Sequence, residues 1–213
     1  MKKQTTITTF AALFACAFAS AKTMAAEPKA PLTKPAVDKS KENDPRVKRG
    51  GYLVWFGGCH DCHTPLVMSA DGPLPDFSRA LSGHPEQMQM PPAPTPPPGP
   101  WIVSAGATLT AWSGPWGTSF TANLTPDKET GLGSWTPEMF IATMRTGKHM
   151  GRGRKLLPPM PVQNLAGLSD EDLRAVFAFL QAIPPVKNRV PQPLPPPAPV
   201  TASTKKVAPI GQN

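Results

Sequence analysis

The chain has 213 residues, 30 of them proline and 3 cysteine, with a formal net charge of +8 at pH 7. That length fits about one domain. The positive balance suits solubility and weak steering of acidic partners, but no basic stripe lies within a recognisable module, which excludes a nucleic-acid partner.

Residues 1–26 have the layout of a secretory signal. Lys2 and Lys3 form a basic start, and Phe10 to Ala21 is an uncharged apolar and small-residue stretch. Ala19-Ser20-Ala21 or Thr23-Met24-Ala25 supplies a cleavage site. The stretch is too short to span a bilayer comfortably, so the expected location is periplasmic. Removing it takes three lysines and no acid, which lowers +8 to +5. Leu13-Phe14-Ala15-Cys16 faintly resembles a lipoprotein cleavage site, but Phe14 is bulky for it, and lipid anchoring at Cys16 is not expected. No later stretch is long enough for a transmembrane helix, which leaves only peripheral association with a membrane.

Proline placement divides the remainder. Residues 27–43 are rich in Ala, Lys and Pro without apolar periodicity and read as a flexible linker. An ordered domain is expected over 44–183. It carries an insertion at about 70–116, within which 91–100 is proline-rich and restricted to extended or irregular backbone. Residues 184–213 read as a proline-rich disordered tail.

Within the domain, Asp44-Pro45 is an N-cap followed by proline at the first helical position. The expected helix runs from Pro45 to Gly57, with Val47, Gly51, Val54 and Trp55 on one face. Gly50 and Gly51 each cost a helix about 1 kcal/mol relative to Ala, and close approach of a second helix would be a reason to keep them. Gly57-Gly58 then lets the chain turn.

The turn leads into Cys59-His60-Asp61-Cys62-His63, the C-x-x-C-H pattern of covalent haem c attachment. Two thiols three residues apart on one turn can each add across a haem vinyl group, and His63 falls where it can ligate the iron. A thioredoxin-like pair opens a helix after a strand, whereas a helical pattern precedes these cysteines. A structural zinc site wants four Cys or His ligands, and only two cysteines follow the signal. The motif occurs once, so one haem is expected.

Thr64-Pro65 directs the chain away. Pro73 and Pro75 lie in the next loop, where a carbonyl could accept the second ring N–H of His63. His84 reads as an exposed loop histidine and, with Met88 and Met90, as a weak alternative ligand. Val103 to Trp112 suits a short strand or extended cover. Thr136-Pro137-Glu138 opens a helix lined by Phe140, Ile141 and Met144 and ended by Gly147. Trp116 and Trp135 are candidates to cover a haem edge, with core packing as the plainer role. A basic group of Arg145, Lys148, Arg152, Arg154 and Lys155 could steer an acidic partner or pair with propionates. Met160 stands between Pro159 and Pro161, which pin its backbone. A thioether on a stiff loop makes a good sixth iron ligand, and a His63/Met160 pair favours electron transfer over oxygen or peroxide chemistry. The last helix is capped by Ser169, has Leu173, Val176, Phe177 and Leu180 at helical spacing, and stops at Pro184-Pro185. Its natural partner is the glycine-bearing first helix.

The order helix, C-x-x-C-H-T-P, loop, helix, Pro-x-Met loop, terminal helix resembles a class I c-type cytochrome. Asn123-Leu124-Thr125-Pro126-Asp127, Thr130-Gly131-Leu132-Gly133-Ser134-Trp135-Thr136, Pro158-Pro159-Met160-Pro161 and Leu168-Ser169-Asp170-Glu171-Asp172-Leu173 are similar to the cytochrome c subunits that serve bacterial periplasmic dehydrogenases. The resemblance covers about residues 45–190. It implies an all-α fold of three to five helices around one covalent haem c, held by Cys59, Cys62, His63 and Met160. It also implies a non-enzymatic carrier of single electrons between a dehydrogenase donor and a cytochrome or oxidase acceptor. The long insertion departs from that pattern. Two other readings stay open: a haem enzyme or sensor whose distal site admits peroxide or a gas, and a scaffold subunit docking through its tail.

Overall fold

The computed structural model describes residues 35–70, 72–94 and 100–196. The signal segment, Cys16, part of the linker, residues 95–99 of the proline run and the tail from 197 lie outside the described residues.

Among the described residues five α-helices carry the fold: α1 (Pro45–Phe56), α2 (Cys59–His63), α3 (Pro137–Thr146), α4 (Val162–Ala166) and α5 (Asp170–Leu180). The expected caps set three of them. Asp44 accepts from the Arg46 N–H, Thr136 from the Met139 N–H and Ser169 from the Asp172 N–H. Each satisfies a backbone donor that the first helical turn would otherwise leave unpaired. Gly147 ends α3 at φ +64, a left-handed conformation that suits glycine.

The all-α expectation is overturned. Between α2 and α3 the chain forms two antiparallel sheets: a hairpin of β1 (Leu66–Ser69) and β2 (Gly72–Pro75), and a three-stranded sheet of β3 (Ser104–Ala105), β4 (Ala111–Gly114) and β5 (Gly117–Phe120). The fold is therefore mixed, with a helical half and a β half. The tight β4–β5 connection is set by Gly117, whose φ of +93 has no room for a side chain. A Cβ there would lie 2.1 Å from the Leu194 carbonyl oxygen.

The core gathers where α1, α3 and α5 meet. Val47, Leu53 and Val54 of α1 pack with Phe140, Ile141 and Met144 of α3 and with Leu173, Val176, Phe177, Phe179 and Leu180 of α5. Full burial of such a side chain stabilises by about 1.5–3 kcal/mol. The Phe140 and Phe177 ring centroids are 5.5 Å apart. Trp55, expected on the buried face of α1, is instead 40% exposed. Gly50 takes its place at the crossing: a Cβ on Gly50 would stand 1.9 Å from the Ala175 carbonyl oxygen, and one on Gly51 would touch the Phe179 ring at 3.1 Å. The glycines are kept because α5 occupies the space their side chains would need.

Both flanks of the helical core are tied to it. Residues 35–43, read as linker, fold back so that Val37 packs on the core and the Asp38 N–H donates to the Ala182 carbonyl. Residues 184–196, read as the start of the tail, run as an extended strap across the β half. Thr118 and Leu194 exchange backbone hydrogen bonds at 2.9 Å in both directions.

Gly50→Ala should gain about 1 kcal/mol of helix propensity and lose more to the clash with the Ala175 backbone. The expected net destabilisation is about 1–3 kcal/mol, read from denaturant midpoints. A variant as stable as the parent would show that α1 and α5 do not meet this closely.

Candidate cofactor site

Gly58 at φ +64 turns the chain from α1 into α2, the five-residue helix made of Cys59, His60, Asp61, Cys62 and His63. His63 is buried, and its Nδ1 lies 2.8 Å from the Ala122 carbonyl oxygen. A carbonyl only accepts, so Nδ1 carries the proton and Nε2 presents its lone pair. No protein group among the described residues bonds that Nε2. Burial holds the ring below its ordinary pKa, opposed by the Ala122 hydrogen bond, so the imidazole is neutral near pH 7. A neutral, oriented imidazole with a free nitrogen is the form that ligates a metal. The acceptor is Ala122, two residues past β5, and not a carbonyl of the Pro73–Pro75 segment, which is committed to pairing as β2.

Cys59 and Cys62 are both free and half-buried. Burial pushes the Cys59 thiol up to about 11, with smaller contributions from Asp61 and Cys62. Burial and then Asp61 push Cys62 up as well. Both are thiols at neutral pH. A dithiol redox pair works through a thiol whose pKa is lowered, so this environment runs against that reading. Among the described residues no group of three or more His, Cys, Asp and Glu is placed to hold a metal ion.

His60 belongs to the wall of the site. Its ring lies 4.6 Å from Trp55 and 5.5 Å from Phe77, centroid to centroid. Burial, then His63, lowers it to about 4. Its Nδ1 is 2.8 Å from the Thr64 hydroxyl, which also accepts the Leu81 N–H at 2.9 Å. Its buried Nε2 has no partner among the described residues.

Met160 is half-buried against the helical core, on the loop that leads into α4. The loop is fixed at both ends. The Ser119 hydroxyl donates to the Pro158 carbonyl at 2.6 Å, and the Val162 N–H donates to the Met160 carbonyl at 2.9 Å. The four-residue stretch 119–122 thus bonds the Met160 loop at one end and the His63 ring at the other. Sequence reading did not find Ser119 or Ala122, because each acts across the fold on residues far away in the chain.

Other candidates separate from the site. His84 is fully buried rather than exposed. Its Nε2–H donates to the Met88 carbonyl at 3.0 Å and its Nδ1 is 2.9 Å from the Thr110 hydroxyl. Both nitrogens are committed, so His84 is no ligand. Trp116 donates its indole N–H to Ser119, and Trp135 packs on the core with the His149 ring nearly perpendicular to its own. Arg145 leaves the basic group: it donates to the Ala166 and Leu168 carbonyls and pairs with Asp170 at 2.7 Å. Lys148, Arg152, Arg154 and Lys155 remain exposed beside the Met160 loop.

No family model matches the chain. It is 30% identical over 148 residues to the cytochrome c subunit of an alcohol dehydrogenase (quinone) of Gluconobacter oxydans, which is 68% of this chain and 23% of that protein. It is 30% identical over 152 residues to the gluconate 2-dehydrogenase cytochrome c subunit of Pantoea cypripedii, covering 71% of this chain and 26% of the relative. A diheme cytochrome c-type protein of Cereibacter sphaeroides is 26% identical over 139 residues, 65% of this chain and 36% of the relative. The chain spans about a quarter of the length of the first two. With the C-x-x-C-H turn in place, these likenesses make the chain a relative of the c-type cytochromes. Within that class its relatives are the cytochrome c subunits of bacterial dehydrogenases.

Thr64→Val keeps the shape of a fully buried side chain but leaves the Leu81 N–H and the His60 ring without their shared partner. The expected cost is about 2–4 kcal/mol, measured by thermal or denaturant unfolding. An unchanged stability would show that neither group depends on the hydroxyl.

Proposed function

We infer that the chain is an exported monohaem c-type cytochrome that passes single electrons from a periplasmic dehydrogenase toward the respiratory chain, and that it is not itself a catalyst. The observation that carries this reading is the His63 imidazole, held by the Ala122 carbonyl inside a C-x-x-C-H turn. Cys59 and Cys62 would form the thioether links, His63 the proximal bond and Met160 the distal one. The names of the relatives support an electron-transfer role, and among the described residues no helix is long and apolar enough to cross a membrane.

When bound, the iron supplies one-electron chemistry with no bond made or broken in a substrate. The protein's own residues do the rest. The Ala122 carbonyl keeps the imidazole in one tautomer and one orientation. The Ser119 bond and the prolines on either side of Met160 hold the thioether in place, so that the donor set changes little between oxidation states. Trp55, His60 and Phe77 pack their rings together beside the attachment turn.

The protein should be matured in a strain that attaches haem c. Haem is expected to stay with the denatured polypeptide and to be lost from a Cys59→Ala, Cys62→Ala variant. A colourless product with two reactive thiols would sink the reading. The oxidised spectrum should carry a weak methionine-to-iron band at the red edge that disappears in Met160→Ala. A high-spin parent that binds cyanide quickly would instead favour the enzyme or sensor with an open distal site.

Lys148, Arg152, Arg154 and Lys155 would steer an acidic partner to the Met160 side. Electron transfer to that partner should slow as salt rises, and reversing two of these charges should flatten the dependence. A rate independent of salt in the parent would exclude steering.

A further inference from the structure

Asn188 sits near the middle of the extended strap and is 6% exposed. Its side chain is committed on every side. Nδ2 donates to the Ser82 carbonyl at 2.7 Å and to the His84 carbonyl at 2.9 Å, while Oδ1 accepts the Glu86 N–H at 2.8 Å. Its backbone N–H donates to the Thr130 hydroxyl at 3.0 Å. The two carbonyls it grips lie on either side of Gly83.

Gly83 is the residue through which this grip reaches the site. Its N–H donates to the His63 carbonyl at 2.8 Å. Its φ is +77, and a Cβ there would stand 2.4 Å from the Thr121 carbonyl oxygen and 2.6 Å from that of Ala122. Gly83 therefore lies flat against the peptide whose carbonyl holds the His63 ring. Two flanking bonds align the segments: His84 N–H to the Thr121 carbonyl at 3.0 Å, and Leu124 N–H to the Leu81 carbonyl at 2.9 Å.

The strap is grasped from the other side as well. Asn123, next to Ala122 and 3% exposed, donates from Nδ2 to the Val186 carbonyl at 2.8 Å. Its Oδ1 accepts from the Thr125 N–H and hydroxyl. Segments 81–84 and 121–124 are thus closed on each other by a third segment from the far end of the chain.

We propose that Asn188 is a positioning residue for the proximal ligand: through Ser82, His84 and Gly83 it sets where the Ala122 carbonyl stands relative to the His63 Nδ1–H. The proposal rests on the haem reading given above. A ring N–H donating to a well-placed carbonyl makes the imidazole a stronger donor, which favours the oxidised metal. Hydrogen bonding of this kind around a ligand is one of the levers a protein has on potential. Loosening the carbonyl should therefore raise the midpoint potential.

The test is the potential of the matured protein carrying Asn188→Ala, measured beside the parent and beside Lys187→Ala. Lys187 is the neighbouring strap residue, and its side chain forms only an exposed ion pair with Glu129. Asn188→Ala should keep its covalent haem and shift to a more positive potential, and Lys187→Ala should match the parent. Should Asn188→Ala fail to accumulate, Asn188→Ser, which retains one donor, is measured in the same way. A lowered melting temperature with an unchanged potential would overturn the proposal and leave the strap a purely structural tie. A colourless parent would instead defeat the haem reading, so the two failures are distinguishable.

Discussion

The candidate site depends on one hydrogen bond, from the His63 ring to the Ala122 carbonyl. An imidazole can rotate and can carry its proton on either nitrogen. The bond removes both freedoms at once, and burial keeps the ring neutral. It also explains why the helices alone do not make the site. α1 and α2 deliver the His63 backbone, but the acceptor that aims its ring lies two residues past β5, 59 residues further along the chain. The three-stranded sheet leads the chain to that carbonyl, and Gly83, bonded to the His63 backbone, packs against it.

The helical half was readable because its rules are local. Asp44, Thr136 and Ser169 are caps by virtue of the residues just after them. The α5 stripe of Leu173, Val176, Phe177 and Leu180 follows the period of a helix and is buried as expected. Gly50 was noticed for the same reason: glycine inside a helix is costly unless something demands it. The demand turned out to be the Ala175 backbone.

Most of the β half was illegible for the opposite reason; of its strands only β3 and the start of β4 fall in a stretch, 103–112, that suited a short strand. Its strands are two to four residues long, too short to establish an alternating pattern, and prolines nearby argue for loop. His84 shows the limit most clearly. Between Gly83 and Pro85 it has every local mark of an exposed turn, yet the fold surrounds it with Thr110, Met88 and Phe120. The C-x-x-C-H turn was plain in the sequence because its spacing encodes its chemistry. Ala122 and Asn188 were not, since an alanine's carbonyl and an asparagine's amide acquire their roles only from what the fold brings to them.

The strap also bears on the energetics of closing the molecule. Six of its thirteen residues, 184–196, are proline. Proline restricts the unfolded chain and leaves it already extended, so laying this segment down sacrifices less disorder than an ordinary coil would. Proline also brings no N–H that must find an acceptor. Of the seven backbone donors that remain, those of Val186, Asn188, Arg189 and Leu194 bond to the rest of the fold. A composition that looks like the mark of an unstructured terminus is here the cheapest kind of chain with which to lash segments 81–84 and 121–124 together.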